Sequence, residues 1–152
     1  MIARQPPAWV GEYVGLPFAS LGRDRAGCDC WGLVRLVLAE QFGIDLPSYA
    51  EDYEDANSGS KVAPLIAAHK DDWQPVDQAD ACLGDVALLR TKGWPMHVGL
   101  IVARGRMLHI EAGINAVIER LDSPIWRQRI VGIFRHPQID QKKLRCACPS
   151  PL

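Results

Sequence analysis

Cys30, His97 and His109 are the residues of this chain whose types could together carry covalent catalysis. A thiol becomes a nucleophile when a base takes its proton, and imidazole is the side chain suited to do so near neutral pH. Cys30 sits in the run Asp29-Cys30-Trp31-Gly32-Leu33-Val34-Arg35-Leu36-Val37-Leu38, where Leu33, Val34, Val37 and Leu38 recur at helical offsets from the cysteine. The pattern predicts a helix with one buried face and Cys30 in its first turn. Asp29 is a preferred N-cap type and Gly43 a left-handed stop, which bounds the helix at both ends. Unpaired N–H groups and the dipole at a helix N-terminus favour a thiolate, so Cys30 is expected to titrate below the free-thiol value of about 8.5.

The histidines fall on two predicted strands, Met96 to Ala103 and Arg106 to Ala112. If Ala103-Arg104-Gly105 is a three-residue loop with Gly in the left-handed position, Val102 opposes Arg106, His109 opposes Gly99, and His97 opposes Glu111. The two imidazoles are then diagonal neighbours on one face, with Cβ atoms about 7–8 Å apart. A two-residue loop, Arg104-Gly105, would send them to opposite faces; the position of Gly105 favours the first register. In that layout Cys30 attacks an acyl carbon, and His97 holds the thiolate as an ion pair before protonating the leaving amine. His109 orients the ring of His97, with Glu111 as the rival for that role, and the backbone N–H of Cys30 donates to the oxyanion. A cysteine on an apolar helix face is by itself most often a small buried hydrophobe. The conjunction with two histidines is what raises the catalytic reading.

The remaining elements must position these groups. Trp9 to Val14 is expected to form a brief helix that packs Trp9 and Tyr13 inward, and the charged turn Gly22-Arg23-Asp24-Arg25 reads as solvated. Residues 48–60, rich in acids, read as a surface excursion, and Lys61 to His69 as a second helix with His69 at its exposed end. Strands follow at Trp73 to Val76, Val86 to Leu89, Ala116 to Arg120 and Arg129 to Arg135, with Gly84-Asp85 as a turn. A helix-rich half followed by an antiparallel meander is an α+β arrangement. One domain is expected over residues 1–137, and 138–152 lacks periodicity and reads as a disordered tail.

Five cysteines, Cys28, Cys30, Cys82, Cys146 and Cys148, form no even framework, and the two Cys-x-Cys pairs are too closely spaced for the usual structural zinc site. Reduced thiols and no metal or cofactor are expected, and a Cys28–Cys30 bridge would be strained. A net charge of −1 with no basic stripe argues against nucleic acid. The N-terminal residues lack the apolar core of a signal peptide, and no run is long enough to span a membrane, so cytoplasmic synthesis without membrane insertion is expected.

Four segments in order, Asp29-Cys30-Trp31-Gly32-Leu33-Val34, Gly84-Asp85-Val86, His97-Val98-Gly99-Leu100 and Met107-Leu108-His109, resemble the blocks of the NlpC/P60 cysteine peptidases. The resemblance runs from about Trp9 to Pro137. It implies a papain-like α+β fold, with the nucleophile-bearing helix packed on a five- to six-stranded antiparallel sheet. It also implies hydrolysis of peptidoglycan stem peptides, typically between γ-linked D-glutamate and meso-diaminopimelate or lysine. By motif, Cys30 corresponds to the nucleophile, His97 to the base and His109 to the third polar residue. Two positions depart from the family's usual pattern: Phe18 stands where many members have an oxyanion-site Tyr, and Trp31 replaces the Ser after the nucleophile. The Cys-Trp-Gly-Leu-Val-Arg form, Gly15-Leu16-Pro17-Phe18 and Gly43-Ile44-Asp45-Leu46-Pro47-Ser48-Tyr49 look like the subgroup found in phage tails, prophages and gene transfer agents. That likeness implies a tail-tip enzyme with tip or hub proteins as partners, acting in the cell wall or periplasm. The alternatives are a structural or tail-assembly virion protein of the same fold, and a thiol amidase or acyltransferase on another substrate.

Overall fold

The computed structural model describes residues 2–50 and 73–139. The acidic stretch from residue 51, the helix expected over 61–69 with His69, and the tail from residue 140 with Cys146 and Cys148 lie outside the described residues.

The helix α1 spans Cys30–Phe42 and begins and ends where its sequence says it should. Asp29 caps it by accepting from the Gly32 N–H at 2.8 Å, and Gly43 closes it at φ 66°. Leu33, Val34, Val37, Leu38 and Phe42 form its buried stripe. Upstream, the expected brief helix is a 3-10 turn over Ala8–Glu12; Val10 and Tyr13 are buried, and Trp9 meets the edges of Tyr13 and Phe42.

The strands are β1 Arg23–Asp24, β2 Gly27–Cys28, β3 Gln74–Val76, β4 Val86–Thr91, β5 Trp94–Ala103, β6 Arg106–Glu111, β7 Ile114–Arg120 and β8 Ile130–Arg135. β1 and β2 form a small hairpin, and the other six make one antiparallel sheet in the order β3-β8-β4-β5-β6-β7. Among the described residues the fold is α+β, one α-helix against a six-stranded antiparallel sheet, as expected. It is not a simple meander: only β4 to β7 follow one another, and β8 returns to lie between β3 and β4. The return is fastened by Asp85, fully buried, which takes two 2.8 Å bonds from Arg135 and one of 2.7 Å from the Cys82 N–H. Gly84-Asp85 is therefore both a turn and an anchor.

In the turn expected to be solvated, Asp24 and Arg25 are exposed, but Arg23 is not. Arg23 is only 13% exposed and its guanidinium bonds Asp29 at 2.8 Å and the Ser48 carbonyl at 2.9 and 3.0 Å, joining the β1–β2 hairpin, the start of α1 and the segment after α1. In the β5–β6 hairpin Leu100 opposes Leu108 and Ile101 opposes Met107, the register expected from a three-residue loop. The turn itself pairs Ala103 with Arg106 around Arg104-Gly105, and a register shift between Ile101 and Ala103 absorbs the difference, with Gly105 at φ 66°. That bulge keeps both histidines on one face. α1 packs across β5 and β6, so its first turn is brought to the strand that carries His97.

Candidate active site

The Cys30 end of the site is built from Asp29 outward. Its Oδ1 accepts from Gly32 N–H and from Arg23, each at 2.8 Å, and its Oδ2 accepts from the Leu21 N–H at 3.2 Å. The loop before β1 thereby presses on the first turn of α1. Gly32 makes the approach possible, because a Cβ there would lie 2.1 Å from the Gly22 carbonyl oxygen. Cys30 is half-buried, and its thiol donates to the Met96 carbonyl at 3.9 Å, beside the backbone that carries His97. Cys28 is fully buried and both thiols are free, so no bridge joins them. Phe18, at the position discussed for Tyr, pairs with Cys28 in an isolated parallel bridge. Trp31 turns away: its Nε1 donates to the Pro47 carbonyl at 2.9 Å, and its ring meets Tyr49 and Trp73 at 5.6 and 6.5 Å.

On the sheet, His97 and His109 are nearly enclosed, and His97 Nε2 lies 2.9 Å from His109 Nδ1. Gly99 leaves the room for this, since a Cβ there would come within 2.7 Å of Met107 Sδ and 3.4 Å of His109 Cβ. The other nitrogen of His109, Nε2, bonds Glu119, and the Trp126 Nε1–H donates to the same carboxylate oxygen at 3.0 Å. The Trp126 ring stacks on His97 at 5.4 Å and 21° and presents itself edge-on to His109 at 5.1 Å. His97 and His109 are thus joined on the sheet, and the Cys30 thiol meets the backbone one residue before His97. Glu111 does not take the orienting place: His97 Nε2 is bonded to His109 Nδ1, and the Glu111 Oε1 sits 3.8 Å from that same His109 nitrogen, beyond hydrogen-bond distance.

Sequence reasoning missed Glu119 and Trp126. Val117 opposes His109, so Glu119 is its diagonal neighbour on the same face, and the rule that paired the two histidines would have found it on the next hairpin. Trp126 lies in the turn between β7 and β8, where no periodicity marks it.

The sequence model of the NlpC/P60 family matches residues 15–135. The chain belongs to that family. Among curated relatives, the murein DD-endopeptidase MepS/murein LD-carboxypeptidase of Escherichia coli strain K12 is 25% identical over 118 residues, 78% of this chain and 54% of that protein. A gamma-DL-glutamyl hydrolase of Bacillus subtilis strain 168 is 29% identical over 127 residues, covering 82% of this chain and 27% of the relative. The chain thus spans about half the length of the first relative and less of the second. An NlpC/P60 family protein from Bacillus cereus ATCC 10987 superposes with a TM-score of 0.62 at 22% identity, over 87% of this chain and 41% of that one. The NlpC/p60 domain of the peptidoglycan hydrolase SagA gives 0.55 at 22% identity, over 84% and 92%. These two likenesses concern the fold.

Within this NlpC/P60 domain burial dominates the electrostatics of Cys30 and His97. Burial, then the charge of Asp29, pushes the Cys30 thiol up to about 12, outweighing the stabilising backbone amides. Burial, then the neighbouring His109, pushes His97 down to about 3. Both directions favour a neutral thiol beside a neutral imidazole, which fits the thiol's bond to the Met96 carbonyl. The lowered thiol pKa and standing ion pair expected from the helix end are therefore corrected: desolvation exceeds the dipole here. Donor atoms of His97, His109 and Glu111 lie within 4.8 Å of one another, and a cation held by them would have to break the bond between the imidazoles.

Proposed function

We propose that this NlpC/P60 domain is a cysteine peptidase that hydrolyses peptidoglycan stem peptides, cutting between γ-D-glutamate and diaminopimelate. The observation that carries the reading is the thiol of Cys30 at the Met96 carbonyl, next in the chain to His97, whose Nε2 is committed to His109; Nδ1 is the nitrogen we assign to the thiol. In the first step Nδ1 takes the thiol proton as Sγ bonds the acyl carbon; the C–N bond then breaks and the amine leaves with that proton. A water molecule gives a proton to Nδ1 and attacks the thioester, the acid departs, and the thiol recovers its proton from His97. Asp29 engages the amides of Gly32 and Leu33 and the Trp31 amide faces the thiol, whereas that of Cys30 lies at the start of the first turn, where a helix offers no acceptor. The Cys30 N–H is the donor we assign to the oxyanion.

The names of the relatives support this substrate class: one is a gamma-DL-glutamyl hydrolase and another a murein endopeptidase. The second name makes the cross-link between stem peptides the alternative bond. The likeness of the Cys30 segment and residues 43–49 to tail-encoded members supports a tail-tip enzyme, carried with tip or hub proteins to the wall it opens during DNA delivery. The test is mass spectrometry of Gram-negative peptidoglycan after incubation with the wild-type protein and with Cys30→Ala. Fragments ending at γ-D-glutamate, made by the wild type alone, are expected. Intact stems with opened cross-links would move the bond, and no cleavage by folded, reduced wild type would favour a structural virion protein or a thiol amidase or acyltransferase.

A further inference from the structure

We propose that Glu119 is a positioning residue that fixes the tautomers of both imidazoles, so that His97 presents a lone pair, not a proton, to Cys30. The inference rests on the peptidase reading for its consequence, and on hydrogen-bond chemistry for its content.

An ionised carboxylate only accepts, so the His109 nitrogen bonded to Glu119 must carry the proton: His109 is the Nε2–H tautomer. In the neutral ring its Nδ1 is then an acceptor, and the partner at 2.9 Å, His97 Nε2, must donate to it. With its proton on Nε2, neutral His97 has a bare Nδ1. One charge on β7 thus decides, through two rings, which nitrogen is free to take the thiol proton. The opposite pair of tautomers would leave a proton on His97 Nδ1 and no base beside Cys30. Once His97 accepts the proton, the same chain sets a negative charge at the far end of a positive one, and both hydrogen bonds keep their direction.

Glu119 is suited to the role by its surroundings. Trp126 donates to the oxygen that receives His109, and the indole packs against both imidazoles, so one side chain locks the carboxylate and covers the rings. Of the other charged groups near the relay, Glu111 pulls the opposite way: its Oε1 is 3.8 Å from His109 Nδ1, too far for a hydrogen bond, so the bonded Glu119 outweighs it. Arg129 lies over the Trp126 ring at 5.5 Å, and Asp29 acts from the helix side on Cys30. The Glu119 side chain is 38% exposed, so its replacement should leave the fold intact.

The test uses the full chain and reads the tautomers directly, by 15N chemical shifts of the two histidine rings in wild type, Glu119→Gln and Glu119→Ala. The wild type is expected to show both rings protonated at Nε2. Glu119→Ala should give mixed tautomers and lower kcat on peptidoglycan stem peptide by about 10- to 100-fold with KM little changed, the usual range for a lost partner behind a working histidine. Glu119→Gln, which keeps an acceptor oxygen, should recover part of the loss. Rings that stay in the wild-type tautomers in folded Glu119→Ala would overturn the proposal. Because the ring shifts need no substrate, a wrong bond or substrate assignment would show as inactive wild type with the tautomers still set by Glu119.

Discussion

Asp29 is fully buried and serves three partners: it caps α1, pairs with Arg23, and holds the Leu21 amide. Its charge also opposes ionisation of the neighbouring thiol, second only to burial. The two effects separate in Asp29→Asn, since Asn is as good a cap but carries no charge. The rate of Cys30 alkylation by iodoacetamide, followed against pH, should rise with an inflection above that of a free thiol in the wild type. In Asp29→Asn the inflection should move to lower pH. The exchange should also cost about 2 kcal/mol of stability, because Arg23 loses its charged acceptor and the Leu21 N–H meets an amide NH2 where it had an oxygen. A wild-type inflection below about 8.5 would mean that the resting site is an ion pair after all. Cys30, His97 and His109 could be picked out in the sequence because hairpin register and helical period are local properties. The pKa directions could not be, because they depend on how much water the packed sheet and Trp126 exclude.

Elements differ in how openly the sequence declares them. The ends of α1 were readable because cap, apolar stripe and glycine stop lie within one short stretch, and they act on that stretch alone. The place of β8 was not, since nothing near Ile130–Arg135 says that it will pair with β4 on one side and β3 on the other. The Arg23 clasp was hidden for the same reason, as its acceptors lie 6 and 25 residues away. The clasp and α1 meet at Gly32, and the contact there is tight. Gly32→Ala would drive a methyl group into the Gly22 carbonyl, and backbone rather than a flexible side chain would have to give way. The expected result, read by chemical denaturation, is a loss of about 3 kcal/mol, at the upper end for overpacking. Activity should fall further than stability, because the shift displaces the turn that carries Cys30. A Gly32→Ala protein with unchanged denaturation midpoint and activity would show that the loop is free to move aside.

Across the whole molecule, the parts of the site come from very different distances along the chain. His97 meets His109 across 12 residues, His109 meets Glu119 across 10, and Trp126 reaches Glu119 across 7, whereas the Cys30 thiol reaches the Met96 carbonyl across 66. Short loops close cheaply and long ones late, so the hydrogen-bonded chain of His97, His109, Glu119 and Trp126 can assemble within consecutive hairpins before the helix carrying Cys30 docks. Native-state hydrogen exchange should find the α1 amides opening at lower free energy than those of β5 and β6; one common opening for all three would contradict this order. Synthesis runs the other way, delivering Cys30 before any of its partners. A growing chain therefore carries the thiol with no base to activate it, and the site becomes competent only when the last hairpins are in place and the helix has come down onto them.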